Sequence, residues 1–174
     1  LPKGTRPAKG FRGNAAGLWQ RLRQDVLKEG VALDYVPTEN WHPDRLQARG
    51  RLDQALVSRS VCIVGIGALG AAVAELLARG GCTRLLLVGG GDLEVGNLVR
   101  HPLTVGDLHR SKATALAERL RAAAPMITID VFPNALPEDV DALRALLDNV
   151  SIVCDCTGDN AVIDTLSRPI WTLP

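Results

Sequence analysis

An α/β fold, built on a doubly wound parallel sheet, is what this chain predicts, on three observations. From Val61 onward, short apolar runs of strand length alternate with helical stretches in the order β-α-β-α-β-α-β. Such alternation demands parallel strands joined by right-handed crossovers. The first run, VCIV, is continuously apolar and β-branched, as strands covered on both faces are. The first run also ends in glycines spaced for a tight turn into a helix.

The elements follow in order. Residues 1–13 hold Lys3, Arg6, Lys9 and Arg12 and no acid, and are expected to be a flexible basic tail. Residues 14–60 form an N-terminal helical and strand extension. Leu18, Trp19, Leu22 and Val26 have helical spacing up to Gly30, VALDYV (31–36) suits a short strand, and Leu46 to Leu56 suits a second helix. Residues 61–174 are the sheet domain. Its strands are expected at 61–66, 85–89, 127–132 and 150–155. A helix over Ala68–Arg79 is stopped by Gly80 and Gly81. A second spans Ser111–Ala124, with Ser111 as N-cap and Pro125 beyond its end. A third runs from Pro137 to Leu147 with Glu138 and Asp139 in its first turn, and a fourth over Asn160–Ser167.

Composition narrows the function. The 174 residues are 47% hydrophobic and 22% charged, which suits a folded core and excludes disorder as the main state. There is no apolar run of about 18 residues and no apolar leader at the start, so no membrane span or secretory signal is expected. Residues 1–60 carry 11 Lys+Arg against 6 Asp+Glu, and residues 61–174 carry 9 against 13. A basic N-terminal part can serve polyanions, but aromatics are only 3%, so no stacking surface for single-stranded nucleic acid is expected. Cys62, Cys82, Cys154 and Cys156 contain no CxxC pair. They read as core or inert thiols in a reducing, cytoplasmic setting.

Gly65-Ile66-Gly67-Ala68-Leu69-Gly70 is a GxGxxG between strand and helix, the phosphate-binding turn of a Rossmann-like sheet. Gly65 permits the turn, Gly67 lets backbone N–H groups approach a phosphate, and Gly70 lets helix and strand pack closely. The helix N-terminus then faces the anion. A dinucleotide site wants an acid at the second strand's end to hold the ribose. Here that end is Gly89-Gly90-Gly91, and the first acid is Asp92.

Three further motifs occur in order: Asp92-Leu93-Glu94-Val95-Gly96-Asn97-Leu98-Val99-Arg100, then Gly106 through Lys112-Ala113, then Asp155-Cys156-Thr157-Gly158-Asp159-Asn160. With the glycine turn, they make the stretch from Arg51 to Arg168 resemble the ThiF/MoeB/ubiquitin-activating-enzyme superfamily of adenylating enzymes. GDLEVGNLVRH is most similar to its bacterial multidomain members.

The resemblance implies magnesium- and ATP-dependent adenylation of the C-terminal carboxylate of a ubiquitin-like or sulfur-carrier protein, by a homodimer. Nucleotide contacts fall to Gly65, Gly67, Ala68, Leu69, Gly70, Asp92, Asn97, Arg100 and Lys112. The catalytic set is Arg100, Lys112 and Asp159, with Asp159 on the metal. Arg49 or Arg51 would reach the γ-phosphate of a second copy. The family's two acids after the second strand fall at Gly89 and Gly91. Its later strands would follow Arg168, so the sheet is read as truncated in its C-terminal half.

From the residues alone, other readings stay open. Arg100 and Lys112 are also ordinary surface charges, Asp159 a helix N-cap, Asn97 a turn former, Asp155 a strand-end brace and His101 a loop histidine. The whole is alternatively a noncatalytic dimerisation or scaffold member, or an NAD(P)-binding oxidoreductase domain.

Overall fold

A computed structural model describes residues 15–25 and 36–171. The expected tail over 1–13 and the strand over 31–36, apart from Val36, lie outside them. The chain divides into two compact units, Leu1–Glu39 and Asn40–Pro174. The first contains helix α1 (Ala15–Asp25). The second contains everything else below, so residues 40–60 share a unit with the sheet.

Four parallel strands form that sheet: β1 (Ser60–Val64), β2 (Arg84–Val88), β3 (Thr128–Phe132) and β4 (Ile152–Asp155), in the order β3-β2-β1-β4. The chain moves outward from β1 to β3 and then returns to the other side of β1. The switch point therefore lies between β1 and β4, where sheets of this kind bind ligands at their carboxyl edge.

Successive strand residues face opposite ways, and each face has its own core. Val61, Ile63, Leu85, Leu87 and Ile129 pack with α4 (Ala68–Arg79) and α5 (Lys112–Ala123), through Ala71, Ala74, Ala78, Leu116 and Leu120. Cys62, Val64, Leu86 and Val88 pack on the other face with Leu146 and Leu147 of α6 (Val140–Leu147) and Val162 and Leu166 of α7 (Asn160–Trp171). Each buried Leu, Ile or Val contributes about 1.5–3 kcal/mol. The alanine stripe on α4 brings that helix close to the strands.

Local chemistry moved several boundaries. The helix expected over Leu46–Leu56 is two short ones, α2 (Pro43–Leu46) and α3 (Gln54–Val57). Asp53 accepts from the Ala55 N–H at 2.8 Å and starts a new helix. The Leu52 N–H leaves for the Gly80 carbonyl at 2.9 Å. α6 begins at Val140 because Asp139 is its N-cap, accepting from the N–H groups of Asp141 and Ala142. Glu138 thus precedes the helix rather than lying in its first turn. α7 continues through Pro169 to Trp171, beyond the expected end at Ser167. α4 begins and ends where its sequence predicts, with Gly80 as C-cap and Gly81 at φ +101°.

Candidate functional site

A cleft of about 290 Å³ opens at the carboxyl edge of the sheet. Its walls are Val64 to Gly67 after β1, Val88 to Gly91 after β2, Asn134 to Leu136 after β3, and Thr157 and Val162 around the start of α7, with Lys112 reaching in from α5. Lys112 is the one charged side chain among these lining residues.

The glycine turn is shaped by its neighbours. Gly65 has φ +87°, a left-handed conformation that costs an L-residue about 1–2 kcal/mol. A Cβ there would lie 2.7 Å from Thr157 Cγ2 and 2.9 Å from Thr157 N. Gly70 sits against the Gly65 carbonyl, where no side chain fits. Gly67 is the N-cap of α4 and has no neighbour within 4 Å of a Cβ position, so its backbone stays open to the cleft. Ala68 and Leu69 follow in the first turn of α4, with Leu69 exposed.

Lys112 is placed by backbone bonds. Its N–H donates to the Gly91 carbonyl at 3.0 Å, and Asp92 bridges to Ser111. A Cβ at Gly91 would lie 3.2 Å from Lys112 Nζ. The glycine therefore leaves room for the ammonium group at the strand end. Asp92 is exposed and not among the lining residues.

Asn97, Arg100 and Asp159 are not among the residues that line the cleft, and Asn97 closes a single 3-10 turn, Val95–Asn97. Asn97 accepts the Glu94 N–H on Oδ1 at 3.1 Å, and its carbonyl accepts from the N–H groups of Arg100 and His101. It shapes the turn that carries Arg100. Asp155 braces the β4 exit, accepting on Oδ1 from the Thr157 N–H at 2.9 Å and the Thr157 hydroxyl at 2.7 Å. Asp159 accepts the Ala161 N–H at 2.9 Å and caps α7. Arg51 lies at the other edge of the sheet, in a second cavity with Gly81, Cys82 and Thr83, and is paired with Asp44 at 3.3 Å. Arg49 is exposed nearby in sequence.

His101 lies in a loop, as its sequence context suggests, but it is buried there. His101 is 7% exposed, and its Nε2 lies 3.2 Å from the Ile66 carbonyl inside the glycine turn. Burial first, and then the Lys112 charge, hold its pKa below the usual imidazole value, against the Ile66 bond, which raises it. No local pattern signals this contact, which spans 35 residues. The four cysteines are free thiols. Burial pushes Cys62 up to about 12 and also raises Cys82 and Cys156, so none of these three is an activated nucleophile. Among the described residues no helix is long and apolar enough to cross a membrane.

Comparison with known proteins places this arrangement. The chain is 34% identical over 153 residues to the ATP-dependent ubiquitin transferase-like protein Cap2 of Enterobacter hormaechei subsp. hoffmannii, covering 88% of this chain and 25% of that protein. It is 34% identical over 123 residues to the molybdopterin-synthase adenylyltransferase of Salmonella typhimurium, covering 68% of this chain and 47% of that one. Among solved structures, E. coli tRNA N6-threonylcarbamoyladenosine dehydratase, TcdA, in complex with ATP superposes with a TM-score of 0.54 at 28% identity, over 59% of this chain and 42% of that chain. The chain spans from a quarter to about half the length of these relatives. Residues 44–168 match the ThiF family; that stretch holds the whole sheet and every loop around the cleft, and the chain belongs to this family.

Proposed function

We propose that this domain binds ATP in the carboxyl-edge cleft and adenylates the C-terminal carboxylate of a ubiquitin-like or sulfur-carrier protein. The observation that carries the reading is that the glycine turn and Lys112 line one cleft at the sheet's switch point. The adenylyltransferase among its relatives and the ATP complex of TcdA support it.

In this reaction a carboxylate oxygen attacks the α-phosphorus of ATP. The bond to the bridging oxygen breaks, and acyl-adenylate and pyrophosphate form. The protein's task is to position the reactants and stabilise charge on the phosphates. The Gly67 N–H and the α4 N-terminus face the phosphate chain. Gly65 and Gly70 hold the turn's shape, while Ala68 and Leu69 supply its helical N–H groups. Lys112 neutralises charge from the β2 side, and Arg100, on the turn built by Asn97, from the other. Asp92 stands one residue past the glycines, outside the lining.

Among the described residues no group of three or more His, Cys, Asp or Glu forms a metal cage. Magnesium needs only one or two carboxylates beside phosphate and water oxygens. Asp159, with Oδ1 engaged in capping, fits as the single carboxylate that would hold it. When bound, the ion would supply charge neutralisation at the phosphates. A homodimer in a cytoplasmic setting, with Arg49 or Arg51 of a second copy reaching the γ-phosphate, completes the proposal.

The noncatalytic alternative draws on the strand end, where Gly89 and Gly91 leave the cleft lining without a carboxylate. Calorimetric titration with ATP and with NAD, each with and without magnesium, separates the readings. Adenylation predicts ATP binding that magnesium strengthens, with NAD much weaker. No ATP binding would favour the noncatalytic reading, and preferred NAD binding the oxidoreductase one.

A further inference from the structure

The deepest polar contact near the cleft is that between His101 and the glycine turn. His101 is the one buried polar or charged residue among the described residues. Its ring meets two backbone groups. The Leu103 N–H approaches Nδ1 at 3.3 Å, and Nε2 lies 3.2 Å from the Ile66 carbonyl. An N–H can only donate, so Nδ1 must be the unprotonated nitrogen. Nε2 then carries the proton and donates it to Ile66.

The Ile66 carbonyl shares a peptide unit with the Gly67 N–H. A trans peptide is planar, with its C=O and N–H pointing in opposite directions, and the described residues contain no cis bond. Pulling the carbonyl toward His101 therefore turns the Gly67 N–H the other way. Gly67 lines the cleft and has open space about it. His101 also ends the turn that carries Arg100, since its own N–H donates to the Asn97 carbonyl at 2.9 Å. One ring thus ties the arginine turn to the glycine turn.

We propose that His101 is a positioning residue, whose neutral Nε2–H form aims the Gly67 N–H into the cleft and holds the Arg100 turn beside it. The inference rests on the reading that the cleft takes the phosphates of a nucleotide. It assigns His101 no contact with substrate; it acts through the Ile66–Gly67 peptide.

Two measurements on the full chain test it. Nitrogen-15 NMR of the imidazoles at pH 7.5 reads the tautomer, with the His101 signals identified by their loss in His101→Leu. A protonated Nε2 and an unprotonated Nδ1 are expected, and the reverse assignment would overturn the proposal whether or not ATP binds. Calorimetry then compares ATP with adenosine. His101→Leu keeps much of the side-chain volume but has no donor, and should weaken ATP by about ten-fold, the worth of one good hydrogen bond. Adenosine, which lacks phosphates, should bind as it does to the unaltered chain. His101→Gln retains an N–H and should restore most of the ATP affinity. Equal losses for ATP and adenosine, or no rescue by His101→Gln, would show only structural damage and refute positioning. Failure of the unaltered chain to bind ATP would instead overturn the nucleotide reading and leave the spectrum to decide the hydrogen bond.

Discussion

Gly65→Ala is expected to destabilise the domain by about 3 kcal/mol. Its φ of +87° costs an alanine about 1–2 kcal/mol. The new methyl would stand 2.9 Å from Thr157 N and 2.7 Å from its Cγ2, closer than van der Waals contact. Thr157 cannot easily retreat, because its N–H and hydroxyl are both held by Asp155 at 2.9 and 2.7 Å. Relief requires moving the β4–α7 loop and loosening those bonds, worth about another 1–2 kcal/mol for a partly exposed site. Gly67→Ala is the matched control. Nothing lies within 4 Å of its Cβ, so stability should change by less than about 0.5 kcal/mol, while ATP binding weakens because the methyl stands where a phosphate must approach. Urea unfolding gives both stabilities from midpoint and slope. A Gly65→Ala midpoint equal to that of the unaltered chain would refute the packing argument, since neither the strain nor the collision could then be real.

Three more outcomes are expected. Gly89→Asp should tighten ATP by up to about ten-fold over 2′-deoxy-ATP if its carboxylate reaches the ribose; its Cβ would lie 3.2 Å from Ile66 N, so unfolding must be measured beside binding, and a folded variant that does not distinguish the two sugars would show that the strand-end acid is not what the site lacks. Asp159→Ala should cost about 1 kcal/mol of stability through the lost α7 cap and remove the strengthening of ATP binding by magnesium; retained strengthening would release Asp159 from the metal role. Because the folded pKa of His101 lies below its ordinary value of 6.5, the unfolded chain takes up the proton more readily; His101's contribution is fully present above about pH 6.5 and is lost as pH falls through 6.5 toward the folded value. Lys112, the charge facing the ring, adds to that loss, and His101→Gln should flatten the dependence in urea midpoints measured between pH 7.5 and 5.5.

The inner strands β1 and β2 were legible because VCIV and LLLV are continuous apolar runs closed by glycines and buried along both faces, whereas β3, at the sheet's edge, carries Thr128 and Asp130 and is only partly buried. α4 was legible to the residue because glycines close both of its ends. Periodicity failed where a side chain competed with it. Asp53 and Asp139 each capture N–H groups and start a helix later than apolar spacing suggests. Gly65 and Gly67 could be placed at the sheet's carboxyl edge from sequence, because strand order brings the ends of β1 and β2 together, whereas Lys112, at the start of α5, was legible only through the family resemblance. His101 could not, since its partner is a backbone carbonyl, which carries no sequence signature. Nor could the absence of Asn97, Arg100 and Asp159 from the lining, which depends on loop turns rather than on strand order.

ATP is expected to enter the carboxyl-edge cleft and not the cavity at the opposite edge. Mapping ATP-induced amide shifts by NMR on the full chain tests it most directly. The largest shifts are expected at Gly65, Gly67, Gly70, Gly89 to Gly91 and Lys112, abolished by Lys112→Ala in a chain that remains folded. Shifts confined to Gly81, Cys82, Thr83 and Met126, or unchanged by loss of Lys112, would contradict it.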